Sequence, residues 1–125
     1  MKLRFQFNSI RLRLKRSEVD QLARAGRVEE KIILGQGATF VYVLETSASV
    51  TSPQIFLTAN GLVVQVPPEL VARWANSDQV GMRGRQTTGS EIPLQVLIEK
   101  DFACLDRTGE ENFDTFPNPL ADTTR

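Results

Sequence analysis

The segment from Gln54 to Val66 reads QIFLTANGLVVQV, two apolar runs on either side of Asn60-Gly61. That dipeptide favours a two-residue hairpin loop, because both central residues of a type I′ turn take φ > 0. Pairing across it sets Ala59 opposite Leu62, Leu57 opposite Val64 and Ile55 opposite Val66, all on one face. The other face carries Phe56, Thr58, Val63 and Gln65. Near the start of the chain Leu3, Phe5 and Phe7 alternate with polar residues, as do Ile10, Leu12 and Leu14, and the parity flips between the two sets. A turn at Asn8-Ser9 reconciles them, with Phe7 opposite Ile10 and Phe5 opposite Leu12. One long strand with a bulge there is the competing reading.

The spacing then predicts a helix. Ser17 is placed as its N-cap, Glu18 and Asp20 in its first turn, Val19, Leu22 and Ala23 as its apolar stripe, and Gly26 as its left-handed stop. Strands follow over Val28–Leu34 and Thr39–Glu45, joined by Gly35-Gln36-Gly37, and Ser47–Pro53 reads as a linker. After the Gln54–Val66 hairpin, Pro68 suits the first turn of a second helix whose stripe is Leu70, Val71, Trp74 and Ala75. Strands over Val80–Gln86 and Leu94–Glu99 complete the pattern.

The order strand-strand-helix-strand-strand therefore occurs twice. A constant shift of fifty-two positions, from Asn8 to Asn60, lays Leu12 on Val64, Leu14 on Val66, Val19 on Val71 and Leu22 on Trp74. The same shift lays Val28 on Val80 and Leu44 on Val96. Any two ββαββ segments share some of this patterning, but the coincidence of turn, helix and apolar positions points to a two-fold pseudo-symmetric fold. The expected class is α+β, with two pseudo-symmetric ββαββ repeats (2–46 and 54–98) forming a largely antiparallel curved sheet or barrel with two helices. One domain over residues 1–106 accounts for this. Residues 107–125 read as an acidic, mostly irregular tail.

Charge and composition narrow the function. The formal net charge is zero, so no global field draws the protein to nucleic acid or to a membrane surface. The charge is unevenly spread: Met1–Lys31 holds nine Lys or Arg against four Asp or Glu, and Asp101–Arg125 holds six acids against two Arg. With a single cysteine, Cys104, no intramolecular disulfide is available, and no leader or membrane span is seen, so a cytoplasmic location is expected. There is no histidine. This excludes His-dependent triads and His metal ligands, and with one cysteine it excludes the usual structural zinc sets. No Walker loop, G-x-G-x-x-G or G-x-S-x-G stands in the sequence, so no cofactor is expected.

Three features remain. Lys2, Arg4, Arg11, Arg13 and Lys15, with Arg83 and Arg85 from the second half, fall on strand positions facing away from the helices. If the halves pair, they would converge with Phe56, Val63 and Leu97 between them, a suitable surface for an oxyanion. The plainer reading is a solvated face, partly neutralised by Glu29, Glu45 and Glu99. The run IEKDFACL places Lys100, Asp101 and Cys104 close together; a cysteine nucleophile would need the nearby Lys100, and without a histidine base Cys104 reads better as a small hydrophobe. Trp74, in a helix stripe, reads as core.

The stretches NSIRLRL-x-x-SEV, VEEKI, WANSDQVG and EKDFACLD resemble those of a family of small uncharacterised bacterial proteins, over nearly the whole chain. That family has no assigned activity, so the resemblance implies no catalytic residues. The duplicated sheet-helix plan also resembles triphosphate-tunnel barrels, but their alternating Glu-x-Glu-x-Lys strand is missing here. Effector-binding domains are similar in plan as well. The sequence thus supports a binding or interaction module for a small anionic ligand or a protein, with Arg11, Arg13, Arg83, Arg85 and Lys100 as candidate ligand-binding residues. The enzyme alternative is phosphate-ester or triphosphate hydrolysis on the same face.

Overall fold

The structure, a computed structural model, describes residues 1–102 and 113–118. The elements in order are β1 (Lys2–Gln6), β2 (Ser9–Leu14), α1 (Arg16–Ala25), β3 (Arg27–Gly35), β4 (Ala38–Thr46), β5 (Gln54–Thr58), β6 (Gly61–Val66), α2 (Pro68–Ala75), β7 (Gly81–Gln86) and β8 (Leu94–Lys100). Hydrophobic periodicity locates these elements to within two or three residues, because strands with one buried face leave a strict alternation in the sequence.

The strands do not make one continuous sheet or a closed barrel. They make two four-stranded mixed sheets of the same design, β1-β2-β8-β7 and β3-β4-β6-β5. Each consists of two antiparallel hairpins joined at the centre by a parallel pair, β2 with β8 and β4 with β6. The first hairpin of one half thus joins the second hairpin of the other. At the edges β5 and β7 the two sheets meet without a backbone ladder. There the Gln86 side-chain amide takes both backbone groups of Ile55, accepting from its N–H at 2.8 Å and donating to its C=O at 3.1 Å. A side chain occupies the place of a ladder, so the two sheets meet without merging.

The parallel pairs are pinned in matching ways. Asn8 O accepts from Gln95 N at 3.0 Å and Leu14 O from Asp101 N at 2.8 Å. In the other sheet Asn60 O accepts from Val41 N and Val66 O from Ser47 N, both at 2.9 Å. Asn8 and Asn60 also turn their side-chain amides outward along the same path, to Pro93 O at 3.1 Å and Thr39 Oγ1 at 3.2 Å. These equivalences fix the offset between the sheets. Ser9 pairs with Gln95 and Gly61 with Val41, so fifty-two positions separate the first hairpins but fifty-four separate the second. The gapless shift fails after the helices, because Asn76–Val80 is longer than the turn at Gly26. Val28 therefore matches Met82, and Leu44 matches Ile98, all four buried.

Both first hairpins turn one residue earlier than their sequences suggest. The loops are Phe7-Asn8 and Ala59-Asn60, so Phe5 faces Ile10, Leu3 faces Leu12, Leu57 faces Leu62 and Ile55 faces Val64. Gly61 is a strand residue, needed for close approach and not for turning. A Cβ built there would lie 1.7 Å from the Val41 carbonyl oxygen. The asparagines serve the parallel pairs, and that role outweighs the local turn preference. Ser17 is not the helix cap either. Lys15 holds that position, and the Glu18 carboxylate reaches back to accept from Lys15 N at 2.9 Å. Gly26 ends α1 at φ 79°, as expected.

β2 and β6 lead straight into the helices, and β4 and β8 run parallel to them. Both helices therefore close one end of the molecule, and the four hairpin loops lie at the other. Leu12, Leu14, Val64, Val66, Val96 and Ile98 from the sheets meet Val19, Leu22, Val71 and Trp74 from the helices in one core. Ala23, expected in that stripe, is exposed. Trp74 is wholly buried, and its Nε1 donates to Val80 O at 3.1 Å.

Trp74→Ala should lower unfolding stability by about 3–5 kcal/mol in a denaturant titration, the range for truncating a buried aromatic. Gly61→Ala should lower it by at least the ~1–3 kcal/mol typical of overpacking, because a backbone carbonyl cannot step aside. Wild-type midpoints for either variant would contradict the packing described.

Candidate functional site

Period-two alternation along β2 buries Leu12 and Leu14 and turns Arg11 and Arg13 outward. The register of the sheet then collects cations from three strands. One cross-strand row reads Arg4, Arg11, Leu97, Arg83. The row on the helix side reads Lys2, Arg13, Glu99, Gly81, and the row toward the loops reads Gln6, Ser9, Gln95, Arg85. The structure therefore brings Arg11, Arg13, Arg83 and Arg85 onto one outer sheet face, together with Arg4 and Lys2.

Few acids answer them. Arg11 Nε lies 2.8 Å from Glu99 Oε1, and Lys2 Nζ lies 3.0 Å from Oδ2 of the buried Asp101 carboxylate. Arg4, Arg13, Arg83 and Arg85 are exposed and make no ion pair among the described residues. Two expected neighbours stand elsewhere. Phe56 and Val63 belong to the other sheet, where Glu29 and Glu45 hold Arg27 at 2.9 and 3.6 Å. Of the apolar residues named with the basic face, Leu97 alone lies within it. Asp106, Glu110 and Glu111, acids of the tail, lie outside the described residues, as does Cys104. Asp114 is described and sits at the start of α1, where its backbone carbonyl accepts from Arg16 N at 2.8 Å and its carboxylate from Ser17 N at 3.0 Å and from Ser17 Oγ.

Lys100 does not join this face. It shares the inward parity of Val96 and Ile98, and its residue is 6% exposed. Its Nζ donates to Ser77 O at 2.7 Å and lies 5.2 Å from the centre of the Phe116 ring and 6.0 Å from that of Trp74. Burial lowers its pKa, against the opposing pull of Asp78. Beside it opens a cavity of about 610 Å³ whose lining includes Arg16, Ser77, Asp78, Phe102 and Phe116. Neither Arg16 nor Phe116 is among the candidate ligand-binding residues that the sequence suggests. Arg16 lies in a dense basic run, and Phe116 in a stretch without periodicity. The parity of Lys100 was readable, since it stands three residues from Leu97 and two from Ile98.

Tyr42 is also perturbed. Burial raises its pKa, and Glu30 and Glu18 add to the effect. Its Oη donates to Met1 O at 2.6 Å, tying β4 to the start of the chain. Among the described residues no three His, Cys, Asp or Glu side chains gather as a metal site, and no helix is long and apolar enough to cross a membrane.

The model of a family of unknown function (DUF7009) matches residues 1–120. No curated protein and no solved structure matches the chain.

The buried lysine makes a pH prediction. Its folded pKa is below the usual 10.5, so between those values the unfolded chain binds more protons and stability rises with pH. Below the folded pKa the penalty for burying the charge is fully present. The urea midpoint of the wild type should therefore gain on that of Lys100→Met as pH rises toward 10.5. Tyr42 is common to both proteins and cancels in the difference. A constant difference across the titration would contradict a desolvated ammonium.

Proposed function

Because the chain belongs to this family of unknown function, its role has to be read from its own geometry, and we propose that it is a small binding module taking an anionic ligand on the outer face of the β1-β2-β8-β7 sheet. The observation that carries this reading is the set of four exposed arginines on three strands of one sheet, none in an ion pair among the described residues. Like charges on neighbouring strands repel, and a bound oxyanion relieves that repulsion. Arginine forks also match carboxylate and phosphate oxygens in pairs. A single exposed charge contributes little, so the ligand is one that engages several arginines together. Along cross-strand rows of a sheet face such a ligand is extended and carries repeated oxyanions. A phosphate-ester hydrolase here would need a group to activate water or hold magnesium. The three rows offer Glu99, already engaged by Arg11, so binding is the better-supported reading. The two similar sheets, with their matched hydrogen bonds, also favour an internal duplication.

Inorganic polyphosphate is a suitable probe. It should raise the melting temperature beyond what sodium chloride gives at equal ionic strength, by mass-action linkage worth about 2.7 kcal/mol at a hundredfold excess over Kd. The pair of substitutions Arg13→Ala and Arg83→Ala should remove the difference while circular dichroism stays unchanged, since both side chains are exposed. Coincident shifts with polyphosphate and chloride would overturn the proposal.

A further inference from the structure

We propose that the cavity beside Lys100 is a second binding site, on the opposite side of the β1-β2-β8-β7 sheet, for a small organic anion. Its carboxylate or phosphate is held between the Lys100 ammonium and the Arg16 guanidinium, and its apolar body rests on Phe116.

The argument begins with an ammonium that the fold does not require. Lys100 in one sheet corresponds to Thr46 in the other. The backbone N–H of each closes the same contact, Lys100 N to Val80 O at 3.0 Å and Thr46 N to Gly26 O at 2.9 Å. A short hydroxyl side chain fills that position in one sheet, so the shared architecture calls for no charge there. In the other sheet a lysine is buried without a carboxylate within ion-pair distance among the described residues. An ammonium has three donors. One goes to Ser77 O, and two aromatic faces give the rest only weak partners. Burying a charge so poorly paired is unfavourable unless something else offsets it.

The cavity supplies the place for that offset. Its volume, about 610 Å³, lies within the range of small-molecule pockets. It is lined by a second cation, Arg16, whose guanidinium carbon lies 5.6 Å from the centre of the Phe116 ring that Lys100 also faces. Arg16 also makes no ion pair among the described residues. The lining carboxylate, Asp78, pairs with neither cation. The Arg16 and Ser17 amides at the start of α1 are already taken by Asp114, so the anion is held by side chains. Two cations close to one aromatic ring in a concave, part-apolar space select an acid with a flat apolar body over a bare ion. The lowered Lys100 pKa fits the same picture, since burial disfavours the charged form and an anion arriving there would favour it.

Phenyl phosphate and benzoate are the probes, with benzyl alcohol as the neutral control, titrated into the full chain by calorimetry at constant ionic strength. At least one anion should bind at a single saturable site, at least tenfold more tightly than benzyl alcohol. Arg16→Ala and Lys100→Met should each weaken binding by roughly tenfold or more, the loss of one charge-assisted hydrogen bond. Arg16 is exposed, so its variant tests the site even if Lys100→Met fails to fold. The paired Arg13→Ala and Arg83→Ala substitutions should leave this binding unchanged, which separates it from the outer face. Failure of both anions to bind, equal binding of the alcohol, or loss of binding only in the outer-face variant would each overturn the proposal.

Discussion

Everything in this molecule hangs on two parallel strand pairs. A hairpin alone is marginal in water and exposes an edge on each side. Here each hairpin buries one edge against a hairpin from the other half of the chain. The join is held at both ends by backbone bonds, from the asparagine loops at one end and the strand ends at the other. Parallel pairing also makes all four central strands run toward the same end. That single choice of direction sends both helices to one end and all the hairpin loops to the other.

The same sheet then separates two chemistries. β8 alternates Gln95, Leu97 and Glu99 on its outer side with Val96, Ile98 and Lys100 on its inner side. Two cations on adjacent strands, Arg13 and Lys100, thereby end in different media. One faces water, where its field is screened over about 10 Å or less. The other sits against aromatic rings, where a charge is felt more strongly and is harder to maintain. The outer face suits ligands that trade counterions; the inner cavity suits a ligand that replaces missing solvation.

What the sequence discloses and what it hides follow from the reach of each signal. Alternation reports which face of a strand is buried, and it placed the elements and gathered Arg11, Arg13, Arg83 and Arg85. It does not report which strand lies alongside. Nothing in Ile10-Arg11-Leu12 names Val96-Leu97-Ile98 as its neighbour, so one largely antiparallel curved sheet or barrel is the natural expectation. Local turn chemistry misled for a related reason. Asn60-Gly61 looks like a type I′ turn, but its glycine answers to Val41, a residue of another hairpin. The extra length at Asn76–Val80 was hidden as well, because apolar residues two apart on one strand satisfy either alignment. Charge alone groups Lys100 with the arginines, although its parity with Ile98 and Val96 sets it inside.

The likeness of the two sheets conceals a difference in order of assembly. The β3-β4-β6-β5 sheet is built from one unbroken stretch of chain, Arg27 to Val66. Its parallel pair joins residues as near as Val41 and Gly61. The other sheet joins the first hairpin to the last, with Ser9 against Gln95, and bringing such distant segments together is the slower event. During synthesis, when residues emerge in order at roughly 5–20 per second, the inner stretch has its partners as soon as it leaves the ribosome. The first hairpin must wait through nearly the whole chain with its edge open. Two sheets of one design thus have different histories, and the one that carries the arginine face is finished last.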